Sequence, residues 1–251
     1  MPIADSNIVV YGSAVMPVDD TVTQIGGGID TQKRMVFTDI DPAGPVEAIS
    51  DGADTRTLTI YYLTAAGVLS SEAKALTGAV AVIFAATMNS ILRMLLSATD
   101  AARTVTVRKS VAGATLGTLP VQTLELRRPH YNAIANAASG AQKDYFEKMF
   151  IKNLDGTLTL TGSTLAKTLD PQAVIDFALE SVLNGTTDNG AGNNRLVAPA
   201  GFVFDSTAKA VANSGSLTAG AAQGFWTRCR LPAGKTPADT TFTMRLAGVS
   251  V

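Results

Sequence analysis

Apolar and polar positions alternate along most of this chain with a period of two, the pattern of strands that bury one face. In TLTIYYLT, Leu58, Ile60 and Tyr62 fall on one side and Thr57, Thr59 and Tyr61 on the other. MVFTDI, VEAIS, VLSSEAKALTG, TVTVRKS and TLGTLPVQTLEL read the same way. They are punctuated by the turn signals DPAGP, DGAD, AAG and VAGA at intervals of about 8–12 residues. Residues 31–126 thus have room for about seven strands, the content of a β-sandwich.

The segments on either side differ in texture. Residues 1–30 carry two short apolar runs broken by Gly12, Pro17, Asp19 and Asp20, and close on Gly26-Gly27-Gly28. They are expected to form an extended N-terminal arm that orders by lying on another surface. After 126, RRPHYNAIANAASGAQ has the composition of a linker. YFEKMFIKNLDGTLTLTG then predicts a hairpin about Asp155-Gly156, a favoured turn pair. FWTRCRL and TFTMRLAG are expected to pair, with Phe225, Thr227, Cys229 and Leu231 facing Phe242, Met244 and Leu246. DPQAVIDFALESVLNG supports two readings. Asp170, Pro171 and Asn184-Gly185 are helix start and stop signals, whereas Ile175, Phe177 and Leu179 alternate as in a strand; locally the balance tips to helix. The expectation is an all-β fold with room for one short helix: an arm (1–30), a β-sandwich (31–126) and a second β-sandwich (127–251), Ig-like or jelly-roll-like.

Composition narrows what such a fold can do. The chain is 46% apolar, too much for disorder, and only 16% charged, so small polar residues must supply its surface. Twenty basic against 21 acidic residues leave no global field to attract nucleic acid or an anionic membrane. The N-terminal MPIADSNIVVYGSAV lacks the basic start and apolar run of a signal peptide. The apolar stretch at 79–98 contains Asn89, Ser90 and Arg93 and reads as core rather than as a membrane span.

Candidate chemistry is sparse. A lone histidine, His130, in a basic linker has no partner nucleophile, and a lone cysteine, Cys229, reads as a buried structural thiol. One His and one Cys fall short of a zinc site. DID (39–41), DGAD (51–54) and DNGAGNN (188–194) place oxygen ligands on loops without the spacing of a calcium loop, and their Asp, Asn and Gly suit turns. No glycine cluster has the sequence of a phosphate cradle. Catalytic, cofactor and metal residues are therefore expected to be absent and the chain to be no enzyme. One face of the expected closing pair carries Trp226, Arg228, Arg230 and Arg245, residue types that dominate protein interfaces. It reads as a partner interface or as a solvated face neutralised by a local carboxylate such as Asp239.

Five passages resemble a family of structural proteins of tailed bacteriophages: IVVYGSAVMPVDD with GGGIDTQKRMVFTDI, TLTIYYLTAAGVLSSEAKALTG, TVTVRKSVAGATLGTLP, YFEKMFIKNLDGTLTLT, and GAAQGFWTRCRLPAGKTPADTTFTMRLAG. The resemblance implies a virion component of Ig-like β-sandwiches, assembled in the host cytoplasm, with 170–183 as strand and no functional residues to carry over. Within that class the expectation is a capsid decoration or cement protein. It would bind the major capsid protein or other virion proteins, associate as a dimer or trimer, and engage neither nucleic acid nor membrane. The alternatives are a tail, baseplate or neck component and, in another class, a glycan-binding adhesin-like module.

Overall fold

The computed structural model describes residues 2–35, 39–130, 132–133, 141–234 and 241–251. The fold is all-β and sandwich-like. Among the described residues, helix is confined to a 3-10 turn at Asp5–Asn7 and a single turn at Ala212–Gly215. In chain order the strands are β1 (Ile8–Val15), β2 (Gly26–Arg34), β3 (Gly44–Ser50), β4 (Thr57–Leu63), β5 (Leu69–Ala75), β6 (Val82–Met88), β7 (Ser90–Leu96) and β8 (Val105–Lys109). They continue as β9 (Thr115–Leu119), β10 (Glu125–Arg127), β11 (Lys143–Asn153), β12 (Leu160–Leu169), β13 (Ile175–Leu183), β14 (Lys209–Ala210), β15 (Ala222–Leu231) and β16 (Thr243–Ser250).

The chain forms two compact units. Unit 2 is continuous, Thr31–Asn132; unit 1 is assembled from Met1–Asp30 and Ala133–Val251. Residues 1–30, read from the sequence as an arm, thus supply β1 and the first half of β2 to unit 1. The reason is local: Tyr11, Met16 and Ile25 are buried apolar residues, and β1 runs antiparallel to β11 with Ile8 opposite Asn153 and Gly12 opposite Met149.

In unit 2 one sheet orders β10, β7, β4 and β5, with the Thr31–Arg34 part of β2 parallel to β10; the other orders β6, β3, β8 and β9. The strict alternation of β4 buries Leu58, Ile60 and Tyr62 on the face that meets Val46, Ala48, Phe84, Val105 and Val107 of the second sheet. β3 pairs with β6 while β4 pairs with β7, and between β3 and β7 the chain changes sheets at β3→β4, β5→β6 and β6→β7. That is the interlocked B–E and C–F arrangement of an immunoglobulin-like sandwich, to which the β8–β9 hairpin is added. The predicted turns at AAG and VAGA form, and each closes a hairpin, β4–β5 and β8–β9. The apolar stretch at 79–98 is two strands, β6 and β7. Of the predicted strand MVFTDI, Val36–Thr38 lie outside the described residues.

In unit 1 β15 lies between β11 and β13, and β11 lies between β15 and β1; a second sheet orders β14, β12 and β16. β11 is buried on both faces from Tyr145 to Ile151. Three expectations from the sequence differ from the fold. The Asp155-Gly156 turn does not close a hairpin: Asp155 accepts the amides of Thr157 and Leu158 and turns the chain from β11 into β12, a strand of the other sheet. FWTRCRL and TFTMRLAG do not pair either, because β15 is occupied on both sides and β16 pairs with β12. Residues 175–183 are strand, not helix: the alternating Ile175 and Phe177 are needed against β15, and that tertiary pairing overrides the capping signals.

Several carboxylates anchor turns and are held below their ordinary value as a result. The Arg56 guanidinium holds Asp54 down, and Lys209 with Thr207 takes Asp205 from 3.8 to about 2. Such groups bind fewer protons folded than unfolded, so the stability they contribute is complete above 3.8 and is lost as pH falls through the folded values. Melting temperature is therefore expected to hold down to that pH and to drop steadily toward about 2, with a shallower acid slope in Asp54→Asn. Calorimetry across this range checks it.

Candidate partner interface

The four residues singled out in the sequence are only partly brought together. β15 places Trp226, Arg228 and Arg230 on one face, as their spacing predicts. Cross-strand register sets Asp144 of β11 opposite Arg230, and Asp176 of β13 opposite Arg228. Arg228 donates from Nη2 to Asp176, whose carboxylate also lies 3.3 Å from Nη2 of Arg230. Asp144 is 3.8 Å from Arg228 and 3.9 Å from Arg230. Two arginines and two aspartates thus form a neutral, alternating cluster, and the Arg228 guanidinium also lies 5.6 Å above the Phe204 ring. The arginines are partly exposed, so a partner can reach them.

Trp226 is not exposed beside them: it is fully buried. Phe202, from the long connection after β13, packs 6.2 Å from its ring, and a Cβ on Gly26 would come within 2.7 Å of it, so that position admits only glycine. Arg245 is exposed, but it lies on β16, opposite Ala166 in the other sheet. The covering carboxylates are Asp144 and Asp176; Asp239 lies outside the described residues.

On the same face, at its covered Trp226 end, lies a polar site with no clear signal in the sequence, for Lys148 stands directly opposite Trp226. Lys148 of β11 is wholly buried and ion-pairs with Glu180 of β13. Its ammonium also donates to the carbonyls of Gly185 (3.1 Å) and Thr187 (2.8 Å), and the Thr187 hydroxyl donates to Glu180. Burial pushes the amine below its ordinary 10.5, against the pull of Glu180. Gly185 and Gly224 make room for the carboxylate, since a Cβ at either would fall within 2.8 Å of the Glu180 side chain. The only sequence signal was phase: Lys148 alternates with Phe146 and Phe150, its two apolar neighbours on that face. With its donors committed and no exposure, this amine is spent on the fold.

The oxygen-rich loops are engaged in the same way. Asp39 accepts from Ser90 and the Ile91 amide and pairs with Arg128, and Asp54 holds Arg56 through both oxygens. Asp188 accepts from Gln24 and the Gly190 amide. Among the described residues no group of three or more His, Cys, Asp and Glu is placed to hold a metal. Cys229 is a buried free thiol within the cluster of Tyr145, Ile175 and Leu231, and His130 is half-buried. Comparison with protein-family models, with curated proteins and with solved structures finds no match to this chain.

Proposed function

We propose that this chain is a structural component of a tailed-bacteriophage particle, a decoration or cement protein that binds the assembled head shell. The observation that carries the reading is how its ionic chemistry is used. Lys148 and Glu180, Asp54 and Arg56, Glu47 and Arg108, and Arg195 and Asp20 each close on one another within their own unit. Buried charge is thereby committed to holding two β units, a pattern suited to a part that acts through its surfaces. The low charge and the five phage-like passages support the same reading. Mechanism then follows from linkage: a protein that binds the assembled shell and not its free subunits stabilises that shell, by an amount that grows with the logarithm of its free concentration once that exceeds Kd.

On this reading the Arg228–Arg230 cluster supplies the contact, exchanging its internal aspartates for partner carboxylates. Arg228→Ser with Arg230→Ser is expected to lower particle binding at least tenfold. It should move stability by no more than about 1 kcal/mol per ion pair, because partly exposed pairs contribute little. Arg245→Ser, in the other sheet, should leave that contact intact. Binding to purified DNA-filled heads, with labelled protein located by cryo-EM, tests the proposal. Hundreds of copies on the head support it; a handful on the tail, or no particle binding, overturns it.

A further inference from the structure

The segment Ala79–Met88, AVAVIFAATM, contains no charge and no proline and has high strand propensity, the composition of a segment that pairs with copies of itself. The fold places most of it at a sheet end. Among the described residues β6 is an end strand of its sheet, paired with β3 alone, and its Ile83 and the preceding Val80 are exposed. Strands of this kind in soluble proteins are blocked by a bulge, a charge or a cover.

Here the block is a single carboxylate reaching across from the other sheet. Between the pairs Val46↔Phe84 and Gly44↔Met88, β3 advances two residues and β6 four, so Ala85–Thr87 bulge out. The amides of Ala85 and Ala86 both donate to Glu72, at 3.3 and 3.1 Å, one to each carboxylate oxygen. Glu72 sits on β5, the end strand of the opposite sheet, opposite Ile60 and therefore on the inward face, with the Lys74 ammonium 3.3 Å away. Burial alone would raise its pKa. The bonds from Ala86, Ala85 and Lys74 outweigh that and hold the group below its ordinary 4.5, so the latch is charged at neutral pH.

We propose that Glu72 is an autoinhibitory latch: by holding the Ala85 and Ala86 amides it withholds the β6 edge from antiparallel pairing with β6 of a second copy of this chain. The second copy is the fitting occupant because an uncharged strand paired two-fold with itself sets no like charges opposite one another. An incoming strand must first strip two charge-assisted hydrogen bonds and displace a carboxylate.

The test is sedimentation equilibrium of the full chain at ~10–100 µM, a range in which exposed strand edges associate. Glu72→Ala is expected to double the mass of whatever species the native chain forms. Adding Ala85→Pro, which removes a donor and cannot join a ladder, should restore the native mass. A folded Glu72→Ala chain, with native circular dichroism and native mass, overturns the proposal, and so does association that survives Ala85→Pro. Should Glu72→Ala fail to fold, Glu72→Gln keeps the side chain's volume and one acceptor. Its association must exceed that of the native chain, and equality overturns the latch.

Discussion

Removal of residues 1–27 is expected to unfold unit 1. The deletion takes away β1, whose pairing from Ile8 to Gly12 satisfies β11 from Met149 to Asn153, and it strips Tyr11, Met16 and Ile25 from the interior. At about 1.5–3 kcal/mol for each large apolar side chain the loss is about 5–9 kcal/mol. That is comparable with the whole stability of an ordinary domain, about 5–15 kcal/mol. Further supports go with it: Asp20 binds Arg195 through its side chain and Asn194 through its carbonyl, and Gln24 binds Asp188, so the loop at 188–195 loses its ties. Hydrogen exchange should show the amides of β11 and β15 losing protection together, while those of β4 and β7 in unit 2 keep theirs. A segment that ordered only on a partner would leave the truncated chain with its native melting transition. That outcome would return residues 1–30 to the role of an arm.

This contrast shows what the sequence made legible. Strand periodicity is a local property, so β4, β8 and β9 and their hairpins could be read from Leu58, Ile60, Tyr62 and the turn residues alone. Which strand lies beside which is not local. β1 finds its partner about 140 residues away, and nothing in IVVYGSAV specifies β11 as that partner. The same limit explains the closing pair. FWTRCRL and TFTMRLAG have complementary faces, but complementarity of faces does not exclude a better partner, and β15 has two, β11 and β13. At 170–183 the helix signals were real, yet capping contributes about 1 kcal/mol while burying Ile175 and Phe177 contributes more. For the candidate interface, spacing correctly set Arg228 and Arg230 on one face. It could not reveal that the connection after β13 covers Trp226, or that Asp144 and Asp176 arrive from neighbouring strands. Lys148 was visible only as a charge between Phe146 and Phe150; its partner, Glu180, could be found only once β13 was a strand.

Lys148→Met should cost about 3–5 kcal/mol, the usual consequence of leaving one member of a buried ion pair alone. In this variant Glu180 keeps the Thr187 hydroxyl but loses its counter-charge, and the carbonyls of Gly185 and Thr187 lose their donor. For a chain of this size the melting temperature should fall by on the order of 10 °C. Replacing both partners, Lys148→Met with Glu180→Leu, removes the stranded charge, and most of the loss should return, since apolar substitutes of similar volume commonly match or exceed a buried pair. The coupling energy of the cycle measures the pair directly. A second readout is pH. Burial lowers the Lys148 amine below 10.5, so the folded chain gives up this proton before the unfolded chain does. The cost of holding the cation inside is thus complete below the folded value and is relieved as pH rises toward 10.5. Native stability measured relative to Lys148→Met should therefore increase across that alkaline window. A flat difference, or a single variant as stable as the native chain, would mean that water reaches the ammonium and that β11 is not sealed on its Lys148 face.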